Sequence, residues 1–121
     1  MRDLPPAGEL AELARRLLLD ELTPLLPEER RRDAHLVATV LAMLRREQAA
    51  GDGPACEVAA LLHAFYREGD ASLARLAADL RRGEFETSLS RERAARAILW
   101  RLTILKLREA NPQFLAAHGI V

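Results

Sequence analysis

A chain of 121 residues in which eighteen basic residues are matched by eighteen acidic ones lacks the basic excess of a general nucleic-acid or membrane-surface binder. Half of it is apolar, yet it holds only one Trp, one Tyr and three Phe, so any core has to be built mainly from Leu and Ala, which favour helix. The length fits a single domain, residues 1–121, able to bury a core without disulfide or metal, and the lone Cys56 excludes an internal disulfide and fits a reducing compartment.

The opening MRDLPPAGEL has no apolar run of the kind a signal peptide needs. No window approaches about 18 apolar residues, so no span is expected, and the sequence reads as cytoplasmic. Pro5 and Pro6 open a first helix, where a missing N–H does no harm. Leu10, Leu13, Ala14, Leu17 and Leu18 recur at helical spacing as its core face, and Glu9, Glu12, Arg15 and Arg16 take the wet side. It should end near Leu22, because Pro24 restricts Thr23.

Pro27-Glu28-Glu29 starts a second helix that runs to about Ala50 and stops at Gly51-Asp52-Gly53. Leu36, Val37, Val40, Leu41, Met43 and Leu44 form a broad apolar arc. Asp33 lies along that arc, so an Arg from another helix or a connector is expected to pair with it. His35, Thr39, Ala42 and Arg46 form a strip on the other side, the best polar constellation on one helix.

Pro54 begins a third helix, to about Arg67, with Val58, Leu61, Leu62 and Phe65 as its core face and Cys56, Ala59, His63 and Tyr66 as a secondary one. His63 reads as a half-buried packing residue. Asp70 or Ser72 caps a fourth helix with core positions Leu73, Leu76, Ala77 and Leu80, closed by Gly83. Glu84 to Thr87 has no helical period, and Phe85 should anchor it to the core.

The longest two-faced run is Ser90 to Asn111, ended by Pro112. Ala94, Ala95, Ile98, Leu102 and Leu105 fall on one face, and Ala97, Trp100, Ile104 and Leu107 fall almost opposite. A helix with two apolar faces needs a cover on each. The second face is covered either from within the chain, by the first helix or by Phe114 and Leu115 of the tail, or by another chain. The internal cover is the nearer expectation, since five helices can enclose one. The fold expected is all-α, about five helices in a single, mostly antiparallel bundle with the last long helix central.

Reaction chemistry is thin. His35, His63 and His118 make no H-x-x-x-H or H-E-x-x-H pattern, and Cys56 and His63 are two turns apart, about 10 Å along a helix. No metal and no cofactor are expected. Ser72, Ser88 and Ser90 are helix caps, not nucleophiles. Helices three and four could make a helix-turn-helix, but Glu68, Asp70 and Asp79 would face phosphates.

Several segments carry a resemblance: the L-P-P-A-G-E-L-A-E-L opening, DAHLVATVLAMLRRE from Asp33 to Glu47, Leu80-Arg81-Arg82-Gly83-Glu84, and Lys106-Leu107 with Asn111-Pro112-Gln113-Phe114. They resemble a bacterial all-helical domain of unknown function, found fused behind or encoded beside aminoglycoside-phosphotransferase-like kinases and acyl-CoA dehydrogenases. Arg46 and Glu47 match the family's second-helix pattern; Asp33 and Thr39 stand where it has His and Asn. The resemblance implies an accessory role near phosphotransfer or acyl-CoA metabolism. Two readings stand. One is a non-catalytic interaction module that docks on such a protein, or on itself as a homodimer, through Ala97, Trp100, Ile104 and Leu107. The other is a binder of a small anion or acyl group near His35, Thr39, Arg46, Lys106 and Asn111.

Overall fold

The computed structural model describes residues 5–120, which form six helices and no strand. The all-α expectation holds. In chain order they are α1 (Ala7–Leu17), α2 (Glu28–Ala50), α3 (Gly53–Tyr66), α4 (Leu73–Arg82), α5 (Leu89–Ala110) and α6 (Pro112–Ala117). The chain divides into two compact units, Met1–Gly51 and Asp52–Val121.

The first unit is a helical hairpin. Gly8 at the start of α1 lies against Arg45 and Gln48 near the end of α2, where an added Cβ would sit 3.6 Å from that of Gln48, so the two helices run antiparallel. Ala34 and Ala38, on the same side of α2 as Arg45, are the buried residues of that helix. Small side chains let the two backbones approach closely. A π-helical turn, Leu18–Leu22, and a 3-10 turn, Thr23–Leu25, follow α1. The carbonyl of Leu18 accepts both the backbone N–H of Thr23 and its hydroxyl, the latter at 2.7 Å. Arg31 donates to the carbonyls of Leu26 and Pro24 and ties the connector to the first turns of α2.

The core face expected for α1 is largely overturned: of Leu10, Leu13, Ala14, Leu17 and Leu18, only Leu18 is half-buried. Glu12, whose side chain is only 12% exposed, accepts from Arg15 at 3.1 Å and Arg16 at 3.1 Å and lies 3.8 Å from Arg45 of α2. Hydrogen bonding from Arg15 leads the effects that hold its carboxyl below the usual range. Leu10, Leu13 and Leu17 are on the opposite side of α1 and exposed, Leu13 at 56%. A two-helix hairpin buries only the strip between its helices, and that strip is taken by Gly8, Glu12 and the alanines. Of the α2 arc, Leu36, Val37, Val40 and Leu44 are exposed for the same reason, while Leu41 and Met43 are half-buried. Asp33, which shares the arc, therefore needs no distant partner. It pairs with Arg30 of its own helix at 3.1 Å, not with an Arg from elsewhere.

The second unit has a core of large side chains. Val58, Leu62 and Phe65 of α3, Leu76 of α4, Phe85 of the following turn and Ala95, Ile98 and Leu105 of α5 form one buried cluster. Phe65 and Phe85 meet edge to face, ring centroids 5.4 Å apart, a favoured aromatic geometry. The anchor role expected of Phe85 holds. Arg101 of α5 bonds Glu57 near the start of α3, and Arg91 near the start of α5 bonds the Phe65 carbonyl near the end of α3, so α3 and α5 are antiparallel. Ser72 caps α4 and Ser88 caps α5, each accepting from the backbone N–H three residues on. Gly83 closes α4 in the left-handed conformation, φ 71°.

The tail, expected only to fold back through Phe114 and Leu115, forms a sixth helix. Asn111 caps it, accepting from the Phe114 N–H at 3.2 Å, and Pro112 takes the first turn. Leu115 is buried, but Phe114 is 44% exposed and stacks on His118, centroids 4.2 Å apart. His63, expected half-buried, is exposed.

Candidate functional site

The polar strip of α2 is a set of separate surface groups. His35 and Thr39 are both exposed, and the Thr39 hydroxyl bonds the His35 carbonyl at 2.9 Å. Its hydrogen is thereby used within the helix. Arg46, partly buried, is also held by an interaction of its own. These three belong to the first unit. Lys106 and Asn111 belong to the second, and Asn111 is occupied as the α6 cap. Lys106 lies beside Glu109 at the edge of an apolar groove of about 360 Å³ whose walls include Val58, Leu62, Leu102 and Leu105.

The second face of α5 is covered in part. Ile104 is buried and Leu107 half-buried, while Ala97 is exposed and Trp100 is 59% exposed. The tail therefore does not reach Trp100. The six-residue α6 spans about 9 Å, and Trp100 lies about 18 Å along the axis from Pro112.

The most chemically charged cluster surrounds Asp79, which the sequence reading placed at the surface. Asp79 is buried. Its carboxylate accepts from the Tyr66 hydroxyl at 2.7 Å and from Arg82, with Arg75 3.8 Å away. Tyr66, followed by Arg82 and Arg75, holds the Asp79 carboxyl below the usual range against the opposing effect of burial. Tyr66 is pushed up to about 12, first by burial and then by Asp79. A phenol held protonated beside an ionised carboxylate is a fixed donor, not a base or nucleophile at neutral pH. Arg75 stacks on the Tyr66 ring at 3.9 Å and donates to the carbonyls of Glu68 and Asp70, closing the α3–α4 turn. Arg91 stacks on Phe65 at 3.6 Å. This is a clasp that fixes α4 on α3. The signal that could have found it is the placement of Arg75 four residues before Asp79 and Arg82 three after, which puts both guanidiniums over one carboxylate.

Among the described residues no group of three or more His, Cys, Asp or Glu side chains is placed to hold a metal ion. No described helix is long and apolar enough to cross a membrane. No buried side-chain polar atom among them lacks a hydrogen-bond partner.

A family model described as Domain of unknown function (DUF6285) matches residues 24–114. The chain belongs to this family. The DUF6285 match begins in the 3-10 turn before α2 and ends inside α6, so α1 and its exposed leucines lie outside it. His35, Thr39, Arg46, Lys106 and Asn111 lie within it, as do Trp100 and the Asp79 clasp. No curated protein and no solved structure matches the chain.

Proposed function

We propose that the chain works as one non-catalytic, cytoplasmic accessory domain that docks on a protein partner, and that the partner is a phosphotransferase-like kinase or an acyl-CoA dehydrogenase. The exposed Trp100 on α5 carries this reading. An indole in water forgoes roughly 1.5–3 kcal/mol of burial, and Trp is among the residue types that dominate interfaces. The polar groups support it too, since the most buried of them, around Asp79, are committed to one another. The kinase or dehydrogenase class comes from the resemblance alone. Nucleic acid and membrane are not expected partners, given the zero net charge.

The test is capture of partners from native cells with tagged wild-type chain and with Trp100→Asp, read by mass spectrometry. The reading expects one kinase-like or dehydrogenase-like protein on the wild type and its loss on the variant, with the helical circular dichroism unchanged. A wild type that captures nothing overturns it. A Trp100→Asp chain that captures the same protein equally well also overturns it.

The groove beside Lys106 favours a second reading, a binder of an anionic or acyl ligand. Its apolar walls suit an acyl chain and the ammonium of Lys106 a carboxylate or phosphate head. Titration with a fluorescent fatty acid, with Lys106→Ala in parallel, checks it. Equal binding by both proteins removes Lys106 from the reading.

A further inference from the structure

A second groove runs between α3 and α5, with a volume of about 500 Å³. Leu61 and Ala64 line it from α3, and Ala94 and Ala97 from α5; the Glu57–Arg101 bridge, 2.8 Å, also lines it. Small side chains on both walls leave a channel between two antiparallel helices. A third helix can seat a row of apolar side chains in such a channel, by ridges into grooves.

The rim has a sign. Arg93 is one turn before Ala97 on α5 and Trp100 is nearly one turn after it, so periodicity places both along that edge. Arg93 is exposed and has no ion-pair partner among the described residues. The carboxylate that lines the groove, Glu57, is already bound by Arg101. Arg96, one residue from Ala97, is likewise satisfied by Glu92 at 2.7 Å. What remains unmatched on this edge is one guanidinium and one indole.

We propose that the α3–α5 groove is the docking site for an acidic amphipathic helix of a partner protein. Its apolar stripe lies in the alanine-lined channel, its carboxylates meet Arg93, and Trp100 closes over its flank. The inference rests on the interaction reading above and supplies the chemistry of the partner. Opposite charge at the rim steers the encounter and rejects basic helices.

The test uses the full chain against a displayed library of Trp-free amphipathic helices, each about 18 residues long so that helix can form. The leucine stripe is fixed and the flanks vary among Glu, Gln and Lys. Glu should be enriched on the flanks. A selected peptide should shift the emission of Trp100, the only Trp in the chain, to shorter wavelength. Arg93→Glu should weaken that peptide by about tenfold or more and turn the selection toward Lys. Ala64→Gln with Ala97→Gln, both at exposed positions, should fill the channel and abolish binding without changing the thermal melt.

No enrichment, enrichment of Lys, or binding indifferent to both variants overturns the proposal. So does sedimentation showing wild-type dimers that the filled groove disrupts, because the occupant is then a second copy. The two readings fail separately. A partner protein captured equally by wild type and by the filled-groove variant ends this inference and leaves the interaction reading standing. A wild type that captures no protein ends the interaction reading itself.

Discussion

The two units put similar sequence material to opposite uses. The second buries Leu62, Phe65, Leu76, Phe85 and Ile98 in one cluster, and the charge it buries, Asp79, is held by Tyr66, Arg75 and Arg82 of the same unit. The first, rich in leucine, buries Ala34, Ala38 and Thr23, sets the carboxylate of Glu12 toward its partner helix, and leaves Leu10, Leu13, Leu17, Leu36, Val37, Val40 and Leu44 exposed. Apolar periodicity identifies a face that is sticky. It does not say whether the neighbour on that face is the adjacent helix. In the hairpin the adjacent helix is met through glycine, alanine and charge, so the leucines stay available.

That contrast can be broken by truncation. Leu76→Ala or Phe85→Ala should cost about 2–5 kcal/mol, the range for deleting large core groups, read as a drop in urea midpoint. Leu13→Ala and Val40→Ala should stay within about 0.5 kcal/mol of wild type, as surface changes do. A Leu13→Ala loss as large as that of Leu76→Ala would mean that the hairpin leucines belong to a core after all.

The charge of each unit sharpens the comparison over pH. Both Asp79 and Glu12 titrate below their usual ranges when folded. Each therefore adds stability that is fully present above its unfolded pKa and is lost as pH falls through its folded pKa. Tyr66 is raised to about 12, so its contribution is complete below the unfolded value of about 10 and is lost as pH rises through about 12. Asp79→Asn should flatten the acid limb of a stability–pH curve, and Tyr66→Phe the alkaline limb. Glu12→Gln should flatten only the acid limb. An unchanged alkaline limb in Tyr66→Phe would mean that the clasp does not form in solution.

The smallest effect is spectroscopic. Trp100 in the free chain should emit near the wavelength of indole in water and be quenched by iodide almost as readily as free tryptophan. A blue, protected emission would place a cover over α5 already.

Local signals in the sequence were enough for the ends of α2, α4 and α5, though not for the π turn after α1 or for α6. Ser72, Ser88, Gly83 and Asn111-Pro112 act within a turn of themselves, and a cap or breaker needs no knowledge of the rest of the chain. The core face of α5 was legible as one of two apolar faces, and its residues Ala94, Ala95, Ile98, Leu102 and Leu105 are buried or half-buried. The face of α1 was not, since Glu12 is neutralised first by Arg15 and Arg16 of its own helix, with Arg45 of a different helix 3.8 Å away, and so can sit on the buried side. Asp79 was missed in the same way, its chief partner Tyr66 lying thirteen residues back. Phe114 was expected with Leu115 as a candidate cover for α5, but a short helix has one buried side and Leu115 takes it. Of the candidate site, the sequence marked Trp100 and Lys106 as residues to watch. The grooves beside them depend on which alanines of α3 and α5 fall opposite one another, a register that no single segment encodes.

The π turn at Leu18–Leu22 has a consequence for chain length. Such a turn is what an α-helix becomes when it absorbs one surplus residue without breaking. Here the hydroxyl of Thr23 steadies the widened ring at the Leu18 carbonyl. Removing Leu19 should therefore be tolerated as a deletion, with α1 running straight into the connector. Because the widened turn takes up the surplus residue, the excision should leave everything before it facing as it does now. Glu12 would keep Arg45 beside it, and the leucine stripe would stay on the outer side. One codon lost at this point is thus a change that the first helix can absorb without altering the side it shows to its surroundings.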